Sequence, residues 1–374
     1  MDASKSVLLT WGLCAPYLAF AVDGEFVRGD ANSEGVIDVS DAVTVIRHLF
    51  AGRTLSCHDA ADVNDDGEID IADGVAALGF LFGTADPLPA PFPDCGADDT
   101  EDGLTCEIYA PCPARDPIIS IAVFNVENLS QTELARGPIA RVVTRVVREF
   151  DMVVIQEIRD PGEVVPERLL DLVNAAPGPP YDMVEGPRLR GREQYAIYYR
   201  REVVELLDAH VHPDPDGVFV RGVLVATFRS GAFDFTLLTT HTNHVGTSAE
   251  LAELPAVFDA VLSADGSERD VLLLGDLNAD CNSFDVGDES HALRAPRFHW
   301  VIPDDADTNV RADQDCSRDR IILLSATHDH EYVLGSAEVF LFDVEYGLET
   351  AVAVDVSDHY PVFARFDTSG PDDD

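Results

Sequence analysis

The sequence predicts an α/β fold for the larger, C-terminal part of the chain and a small helical module before it. From Ile118 onward, short apolar segments alternate with segments of helical periodicity. Ahead of them an acidic loop pattern occurs twice, 32 residues apart, and each copy runs into an apolar helix. Residues 84–117 between the two regions are rich in Pro, acid and Cys, the composition of a linker.

The composition indicates a folded, strongly acidic protein. Hydrophobic residues make up 46% of 374 residues, which is enough for a large core and excludes wholesale disorder. The 69 acidic residues exceed the 25 basic ones, for a formal net charge of −44. Such a chain repels polyanions unless salt or divalent cations intervene, so the charge favours a saline or calcium-rich setting.

The first residues predict a signal peptide over residues 1–21. An apolar stretch from Val7 to about Val22 ends in Ala19-Phe20-Ala21, a cleavage pattern, and is too short to span a membrane comfortably. No later stretch is long and apolar enough to cross a membrane. We therefore expect a secreted or extracytoplasmic protein. Cleavage would leave six cysteines, which suits up to three disulfides, whereas reduced cytosolic thiols are the alternative.

The repeated acidic pattern predicts two Ca²⁺-binding loops. Each copy reads Asp-x-Asn-x-acid-Gly and continues with Asp at loop positions nine and twelve, so hard oxygen ligands alternate around a glycine turn. A pair of acidic turns without an ion is the alternative. The predicted ligands, two of them through backbone carbonyls (Val36 and Glu68), are Asp30, Asn32, Glu34, Val36, Asp38, Asp41, Asp62, Asn64, Asp66, Glu68, Asp70 and Asp73.

An apolar helix is expected after each loop, and the two helices are expected to pack face to face. The residues expected at that contact are Val43, Ile46, Leu49 and Phe50 in the first helix and Val75, Leu78, Phe80, Leu81 and Phe82 in the second.

The paired loops resemble a dockerin domain over residues 26–83. The predicted module that contains them spans residues 22–83. The likeness rests on Asp at position twelve and on the single helix after each loop. It implies a cohesin-like or cell-surface partner. Dockerins tend to carry small polar residues at positions ten and eleven, where this chain has Val39-Ser40 and Ile71-Ala72.

Four cysteines lie in or near the linker. Bridges between Cys57 and Cys95 and between Cys106 and Cys112 are plausible, and the sequence leaves the pairing open.

The large region, residues 118–367, reads as strands interspersed with helices. A helix is predicted at "GPIARVVTRVVREF", with Pro138 at its start, and another at "SAELAELPAVFDAVL", interrupted at Pro255. The pattern fits either a parallel doubly wound sheet or a two-sheet sandwich. The predicted strands are "IISIAVF", "MVVIQ", "YAIYY", "VLVATF", "FTLLTT" and "VLLLG".

Polar residues at the ends of these strands predict a phosphoester-hydrolysing site. Carboxylate and amide oxygens hold Mg²⁺ or Mn²⁺ against a phosphate, and histidines move protons near neutral pH. A zinc site at His241 and His244 is the weaker alternative, since no Cys ligand or Glu-bearing helix accompanies them. The strand-end residues are Asn125, Glu157, Glu193, Tyr195, His241, Asp276, Asn278, Asp319, Asp358 and His359.

The segments "FNVEN", "VVIQEIRD", "REQY", "GDLNADC", "SRDRI" and "SDHYPV", in that order, resemble the endonuclease/exonuclease/phosphatase superfamily. "HWVIPDDADT" and the cysteine after "NAD" point to its deoxyribonuclease I-like members. The resemblance implies a four-layer α/β/β/α sandwich with the site where the strand ends converge. It also implies a disulfide between Cys281 and Cys316.

The resemblance implies a role for each matching residue. Glu157 corresponds to the principal metal ligand, with Asn125 beside it and Asp358 contributing to metal and phosphate binding. The implied acid–base pairs are His241 with Glu193 and His359 with Asp319, and the two histidines are assigned jointly. Asp276 and Asn278 complete the catalytic set, and the implied phosphate contacts are Arg159, Tyr195, Arg221 and Asn278.

Two features typical of deoxyribonuclease I have no clear counterpart. Gly191 and arginines stand ahead of Glu193, where that family has an aromatic wedge for the minor groove, and "DPDGVFVRG" lacks the small disulfide loop and acidic calcium site.

The sequence thus predicts a secreted, divalent-metal-dependent phosphoesterase with an acidic tail over 368–374. The resemblance implies that it is an endonuclease that cuts DNA to leave 5′-phosphate ends. The alternatives are a phosphoesterase acting on lipid or inositol phosphates and a catalytically inert, calcium-dependent adhesion or scaffold protein.

Overall fold

The computed structural model describes residues 25–83, 87–93, 95–98, 100, 102–106, 109, 112, 117–188, 193–264 and 269–370. The chain divides into two compact units, Met1–Ala114 and Arg115–Asp374. The predicted signal peptide, the residues 189–192 and the end of the acidic tail lie outside the described residues. Within the described ranges, no helix has the length and apolar character needed to cross a bilayer.

The N-terminal unit contains two helices that follow the acidic loops, α1 (Val39–Ala51) and α2 (Ile71–Leu81). Asp38 and Asp70 are their N-caps, and each forms a capping box with the Asp three residues later. The loop acids therefore start the helices as well as surround the predicted ion positions.

The expected contact between α1 and α2 is partly wrong. The small residues Ala42 and Ala77 are buried in one cluster there, whereas Val43, Val75 and the two phenylalanines Phe50 and Phe82 are exposed. Gly74 of α2 lies against the backbone of Ala42 in α1, so the two helices approach closely, and larger apolar residues face outward.

The plausible cysteine pairing in this unit is also wrong. The disulfides join Cys57 to Cys106 and Cys95 to Cys112. An isolated antiparallel bridge brings Cys57 opposite Cys106, with Cα atoms 4.0 Å apart. Backbone pairing between segments distant in sequence, which spacing does not reveal, therefore selects the partner.

The C-terminal unit contains two mixed six-stranded sheets. The first has the order β11-β12-β1-β2-β4-β3 and the second β5-β6-β7-β8-β10-β9. The strands are β1 (Ile118–Leu129), β2 (Met152–Ile158), β3 (Tyr181–Glu185), β4 (Gln194–Arg200), β5 (Glu205–Val211), β6 (Leu224–Ser230), β7 (Phe233–Thr239), β8 (Val271–Asp276), β9 (Phe298–Trp300), β10 (Asp319–Leu324), β11 (Glu338–Val339) and β12 (Val362–Asp367).

Helices cover the outer faces of the two sheets, which gives the predicted four-layer α/β/β/α sandwich. Alternation along β1 shows the layering, because Ile121 and Val123 lie in the core between the sheets while Ala122 and Phe124 lie in the core under the helices. The helices are α3 (Gln131–Ala135), α4 (Gly137–Glu149), α5 (Val165–Ala175), α6 (Thr247–Ala264), α7 (Ser325–Asp329), α8 (Phe342–Tyr346) and α9 (Thr350–Val356).

The predicted interruption at Pro255 is wrong, since α6 continues through it. A proline inside a helix costs about 3 kcal/mol. Burial of Leu251, Leu254, Val257 and Phe258 against the second sheet offsets that cost at about 1.5–3 kcal/mol for each fully buried apolar side chain.

The sheets bring their polar strand ends to one edge. β1 and β2 are parallel in the first sheet, and β7 and β8 are parallel in the second. β10 is antiparallel to β8, so that Asp319 at its start pairs with Asp276 at the end of β8. The segment 357–361 then leads into β12 and carries His359 to the same edge.

Candidate active site

Asp276 lies between the two predicted histidines. Its Oδ2 atom is 3.3 Å from Nε2 of His241 and 3.7 Å from Nε2 of His359. The Nδ2 atom of Asn125 donates a hydrogen bond to the same oxygen at 3.0 Å, and the backbone N–H of Asn278 donates to Oδ1 at 3.0 Å. Four of the predicted strand-end residues thus surround one buried carboxylate.

His241 is held by groups from both sheets. Its Nδ1 atom donates to Oε1 of Glu193 at 2.9 Å, and its backbone N–H donates to the hydroxyl of Tyr195 at 2.9 Å. Arg221 places Nε 3.0 Å from the same Glu193 oxygen and donates from Nη1 to the carbonyl of His241. The ring is therefore fixed with Nε2 directed at Asp276.

His359 has a matching arrangement. Its Nδ1 atom donates to Oδ2 of Asp319 at 2.8 Å. Its backbone N–H donates to Oγ of Ser357, which in turn donates to the carbonyl of Asn125 at 2.6 Å. Each histidine is thus oriented by a fully buried carboxylate, the geometry that fixes the tautomer of an acid–base imidazole.

The charges in this cluster shift the pKa of each member. Burial opposes protonation of His359, but Asp319 and Asp276 raise its pKa to about 10. Burial also opposes protonation of His241, but Asp276 and Glu193 raise its pKa above the ordinary value. In return, although burial opposes ionisation, the two imidazoles hold the pKa of Asp276 below its ordinary value.

Glu157 has an unusual backbone conformation. Its φ of +60° lies in the left-handed region that a Glu rarely adopts, at a point where the pairing of β2 with β4 shifts register. The shift directs its carboxylate into the cluster, where Oε1 lies 3.4 Å from Nδ2 of Asn125 and 3.9 Å from Nδ1 of His241. The N–H of Asn128 donates to Oε2 at 3.1 Å.

Two residues that the sequence reasoning did not single out shape this region. Gln156 is fully buried in β2 and reaches across to the second sheet, where Oε1 accepts from the N–H of Asp276 at 2.9 Å. Its Nε2 atom donates to Oγ1 of Thr239 and to the carbonyl of Thr240, each at 3.0 Å. The "QE" pair in "VVIQEIRD" is the available signal, because a polar Gln at the end of an apolar strand directly precedes the acid.

The second missed residue is Glu127. Burial raises its pKa, and so do the nearby charges of Asp358 and Glu157. Glu127 lines a cavity of about 620 Å³ together with Asn128, Arg159 and Arg311. Asp358 lies on the His359 side, with Oδ1 3.8 Å from Nε2 of that histidine. An open, mainly polar depression thus adjoins the buried cluster.

The predicted phosphate contacts fall into two groups. Arg159 is partly exposed, with Nη2 3.0 Å from Oε2 of Glu157, and Asn278 lies in the cluster. Tyr195 is fully buried and Arg221 is mostly buried. The prediction that Tyr195 contacts phosphate directly is therefore wrong. Its hydroxyl is buried behind His241 and supports that residue instead.

The disulfide between Cys281 and Cys316 is present, as the resemblance implied. It closes a loop of 35 residues, which the chain-entropy model values at about 3 to 4 kcal/mol. The bridge ties the turn after Asp276 to the segment before Asp319.

The two acidic loops of the N-terminal unit have the same internal hydrogen-bond pattern. Asp30 accepts from the N–H groups of Glu34 and Gly35, and Asp62 accepts from those of Asp66 and Gly67. The Oδ1 atom of Asn64 is buried without a hydrogen-bond partner. This arrangement fits a Ca²⁺ ion, because carboxylates surround a glycine turn and an amide oxygen among them lacks a hydrogen-bond partner.

The sandwich fold and its two imidazole–carboxylate pairs place the chain among hydrolytic phosphoesterases. Residues 122–359 match the model of the endonuclease/exonuclease/phosphatase family, and the chain belongs to that family. Residues 28–75 match the dockerin type I domain.

Similar proteins include deoxyribonuclease-1-like 1 from Homo sapiens, 34% identical over 253 residues, covering 65% of this chain and 82% of that protein. Deoxyribonuclease-1 from Bos taurus is 32% identical over 257 residues, and the match covers 65% of this chain and 90% of that protein. A crystal structure of D. rerio TDP2 with single-strand DNA product shares the fold, with a TM-score of 0.51 and 20% identity, covering 67% of this chain and 99% of that chain.

Proposed function

We propose that this protein is a secreted, divalent-metal-dependent endonuclease that hydrolyses DNA phosphodiesters and leaves 5′-phosphate ends. The observation that carries the proposal is the pair of oriented histidines on either side of Asp276, at 3.3 and 3.7 Å. The similar deoxyribonucleases support DNA as the substrate.

In this proposal the two histidines transfer the protons. Hydrolysis needs one group to take a proton from the attacking water and another to give a proton to the leaving oxygen. His241 and His359 present Nε2 toward the same centre, while Glu193 and Asp319 hold their Nδ1 atoms. The two histidines serve these steps as a pair.

The metal-binding residues in this proposal are Glu157 with Asn125, and Asp358 nearby. Oxygen donors of this kind are the ligands that Mg²⁺ and Mn²⁺ prefer, and the left-handed backbone at Glu157 is the strained geometry found at functional sites. A bound ion would neutralise charge on the phosphoryl oxygens. In this proposal Arg159 and Asn278 contact the phosphate.

Secretion is supported by the disulfides. The described residues contain three, and such bonds persist in oxidising compartments. This proposal places the protein outside the cytoplasm after removal of residues 1–21.

A plasmid-nicking assay with Mg²⁺ or Mn²⁺ tests the activity. We expect nicking by the wild-type chain, and a loss of about 10²–10⁴-fold in His241→Ala and in His359→Ala. His210→Ala is the matched control, because that imidazole is exposed and lies outside the site. Nicking that persists in excess chelator would contradict the metal mechanism.

A substrate panel separates the rival activities. Duplex DNA, single-stranded DNA, RNA, sphingomyelin and an inositol phosphate are compared under one metal condition. Preferential hydrolysis of a lipid or inositol phosphate would replace the proposed substrate, and no hydrolysis of any of them would favour the inert scaffold.

We further propose that the N-terminal unit binds two Ca²⁺ ions and docks a cohesin-like partner through an apolar surface. Val39, Val43, Ile46 and Phe50 lie on one face of α1, and each has an apolar counterpart 32 residues later. Phe50 is 76% exposed and its counterpart Phe82 is 70% exposed. A large exposed apolar row of this kind indicates an interaction site.

The docking proposal is tested with the full chain and a panel of cohesin domains in Ca²⁺. We expect binding that is lost on chelation and weakened in a Phe50→Ser/Phe82→Ser double variant. Arg53→Ser, at an exposed position just beyond α1, is the control. Binding that is indifferent to the phenylalanines would overturn the apolar surface.

A further inference from the structure

A cluster of two histidines and one acid lies away from the candidate active site. His299 is in β9, while His328 and Asp329 end the short helix α7. One donor atom from each of the three lies within 4.8 Å of the others. We call these residues the distal histidine cluster.

The cluster is at the opposite end of β10 from the active site. His299 pairs in register with Leu323, near the end of the strand, whereas Asp319 begins the strand and orients His359. Six residues of a strand span roughly 20 Å. The distal histidine cluster therefore takes no part in the proposed hydrolysis.

The two imidazoles already face one another. Their ring centroids are 3.9 Å apart and the ring planes differ by 9°. Nδ1 of His328 lies 2.9 Å from Oδ1 of Asp329, and Nε2 of His299 lies 3.1 Å from Oγ of Ser325. Each ring thus has one nitrogen with a local partner and a second nitrogen outside those bonds.

A cavity of about 480 Å³ adjoins the rings and is lined by both histidines and by Glu289. Parallel rings direct their nitrogens side by side, so an ion shared by both requires one imidazole to rotate. Both rings line the cavity, so the rotation would turn a ring toward open space. Arg294, which also lines the cavity, is engaged with Asp304 at 2.9 Å and stacks on Trp300 at 3.8 Å.

We propose that the distal histidine cluster is a binding site for a divalent transition-metal ion such as Zn²⁺ or Cu²⁺. Imidazole nitrogens favour these ions over Mg²⁺ and Ca²⁺, and two His with one carboxylate leave a fourth position open to water from the cavity. The bound ion would link β9 to α7 and so stabilise the far end of β10. This inference does not depend on the proposed nuclease activity.

Calorimetric titration of Zn²⁺ into the full chain, saturated beforehand with Ca²⁺ and Mg²⁺, tests the site. The starting protein is the His241→Ala/His359→Ala variant, in which the active-site imidazoles cannot bind the added ion. We expect one site that disappears in His299→Gln and in His328→Gln, and that is weakened more than about tenfold in Asp329→Asn. His210→Gln, at an exposed histidine paired with Asp208, should retain it.

Electron paramagnetic resonance of bound Cu²⁺ provides a second measurement. We expect nitrogen coupling that is reduced when either His299 or His328 is replaced by Gln. Circular dichroism and thermal unfolding of the titrated variants, with and without His299→Gln or His328→Gln, establish that they fold. The proposed site would be refuted if the folded His299→Gln and His328→Gln variants had the same Zn²⁺ stoichiometry and the same Cu²⁺ coupling as their parent.

Discussion

Glu193 and His241 form a hydrogen bond of 2.9 Å between elements that belong to different sheets. Glu193 immediately precedes β4 in the first sheet, and His241 follows β7 in the second. Because the carboxylate is fully buried, it orients the imidazole in a region of low dielectric, where a charged hydrogen bond is strong. The acid–base geometry therefore depends on how the two sheets are packed.

Replacing Glu193 by Gln should lower the nicking rate roughly 10- to 1000-fold. Asp276 and Glu193 raise the pKa of His241 against the effect of burial, so removal of one negative charge lowers that pKa. The limb of the pH–rate profile that reports His241 should move to lower pH. Glu205→Gln, at an exposed strand start, is the control, and an unshifted profile in Glu193→Gln would contradict the pairing.

The raised pKa of His359 predicts how stability depends on pH. A histidine with a higher pKa in the folded state stabilises the fold while it is charged. Its contribution is complete below about pH 6.5 and is lost as pH rises through about 10. We expect the melting temperature to fall by a few °C more between pH 8 and 10.5 in the wild type than in His359→Gln.

A matched variant makes the comparison specific to His359. His210→Gln removes an exposed histidine and should follow the wild-type curve. If His359→Gln follows the same curve too, then His359 does not carry its proton in the folded protein at neutral pH.

Gln156 should prove as important as the residues it positions. Its amide makes three hydrogen bonds across the sheets, to the backbone of Asp276 and to Thr239 and Thr240. Each is worth about 1 kcal/mol net, and loss of the amide leaves buried polar groups unsatisfied. We expect Gln156→Leu to lower the free energy of unfolding by about 2–4 kcal/mol.

The same substitution should lower kcat more than it raises KM, because Gln156 holds Asp276 and the segment before His241 without reaching the solvent-exposed depression. Urea unfolding and nicking kinetics below the melting transition measure the two effects separately. Thr227→Val is the control, since Thr227 bonds Thr236 on the second sheet outside the site. Stability and kcat that are unchanged in Gln156→Leu would refute the positioning role.

Much of the site could be predicted because its residues fall at strand ends. Apolar runs such as "VLLLG" predicted β8, and the polar residue after each run predicted what reaches the edge. The family resemblance then supplied the four-layer arrangement. Strand periodicity alone could not, since it reports which residues alternate and not which strands pair.

The errors have a common physical origin in long-range packing. Gln156 reads as one more buried strand residue until the second sheet is placed against it. The Cys57–Cys106 bridge depends on a backbone pairing across 49 residues. Similarly, the resemblance implies a phosphate contact for Tyr195, but packing against the other sheet buries that side chain completely. Sequence patterns carry little information on such contacts.

The calcium loops should lose affinity as pH falls below 6. Burial raises the pKa of Asp41 and of Asp73 to about 6 in the ion-free unit, although the backbone N–H groups that each accepts act in the opposite direction. Protons therefore compete with Ca²⁺ for the twelfth loop position in mildly acidic solution. For one such group, affinity at pH 5 should be roughly tenfold lower than at pH 7.

Calorimetric Ca²⁺ titration of the full chain at pH 7, 6 and 5 measures this dependence. Glu68→Gln should behave as the wild type, because Glu68 is exposed and is predicted to contribute only its backbone carbonyl. The Asp41→Asn/Asp73→Asn variant should bind Ca²⁺ weakly at every pH, since an amide supplies one neutral oxygen in place of a carboxylate. If the Ca²⁺ affinity of the wild type stays constant from pH 7 to pH 5, then protons and Ca²⁺ do not compete for these two buried acids.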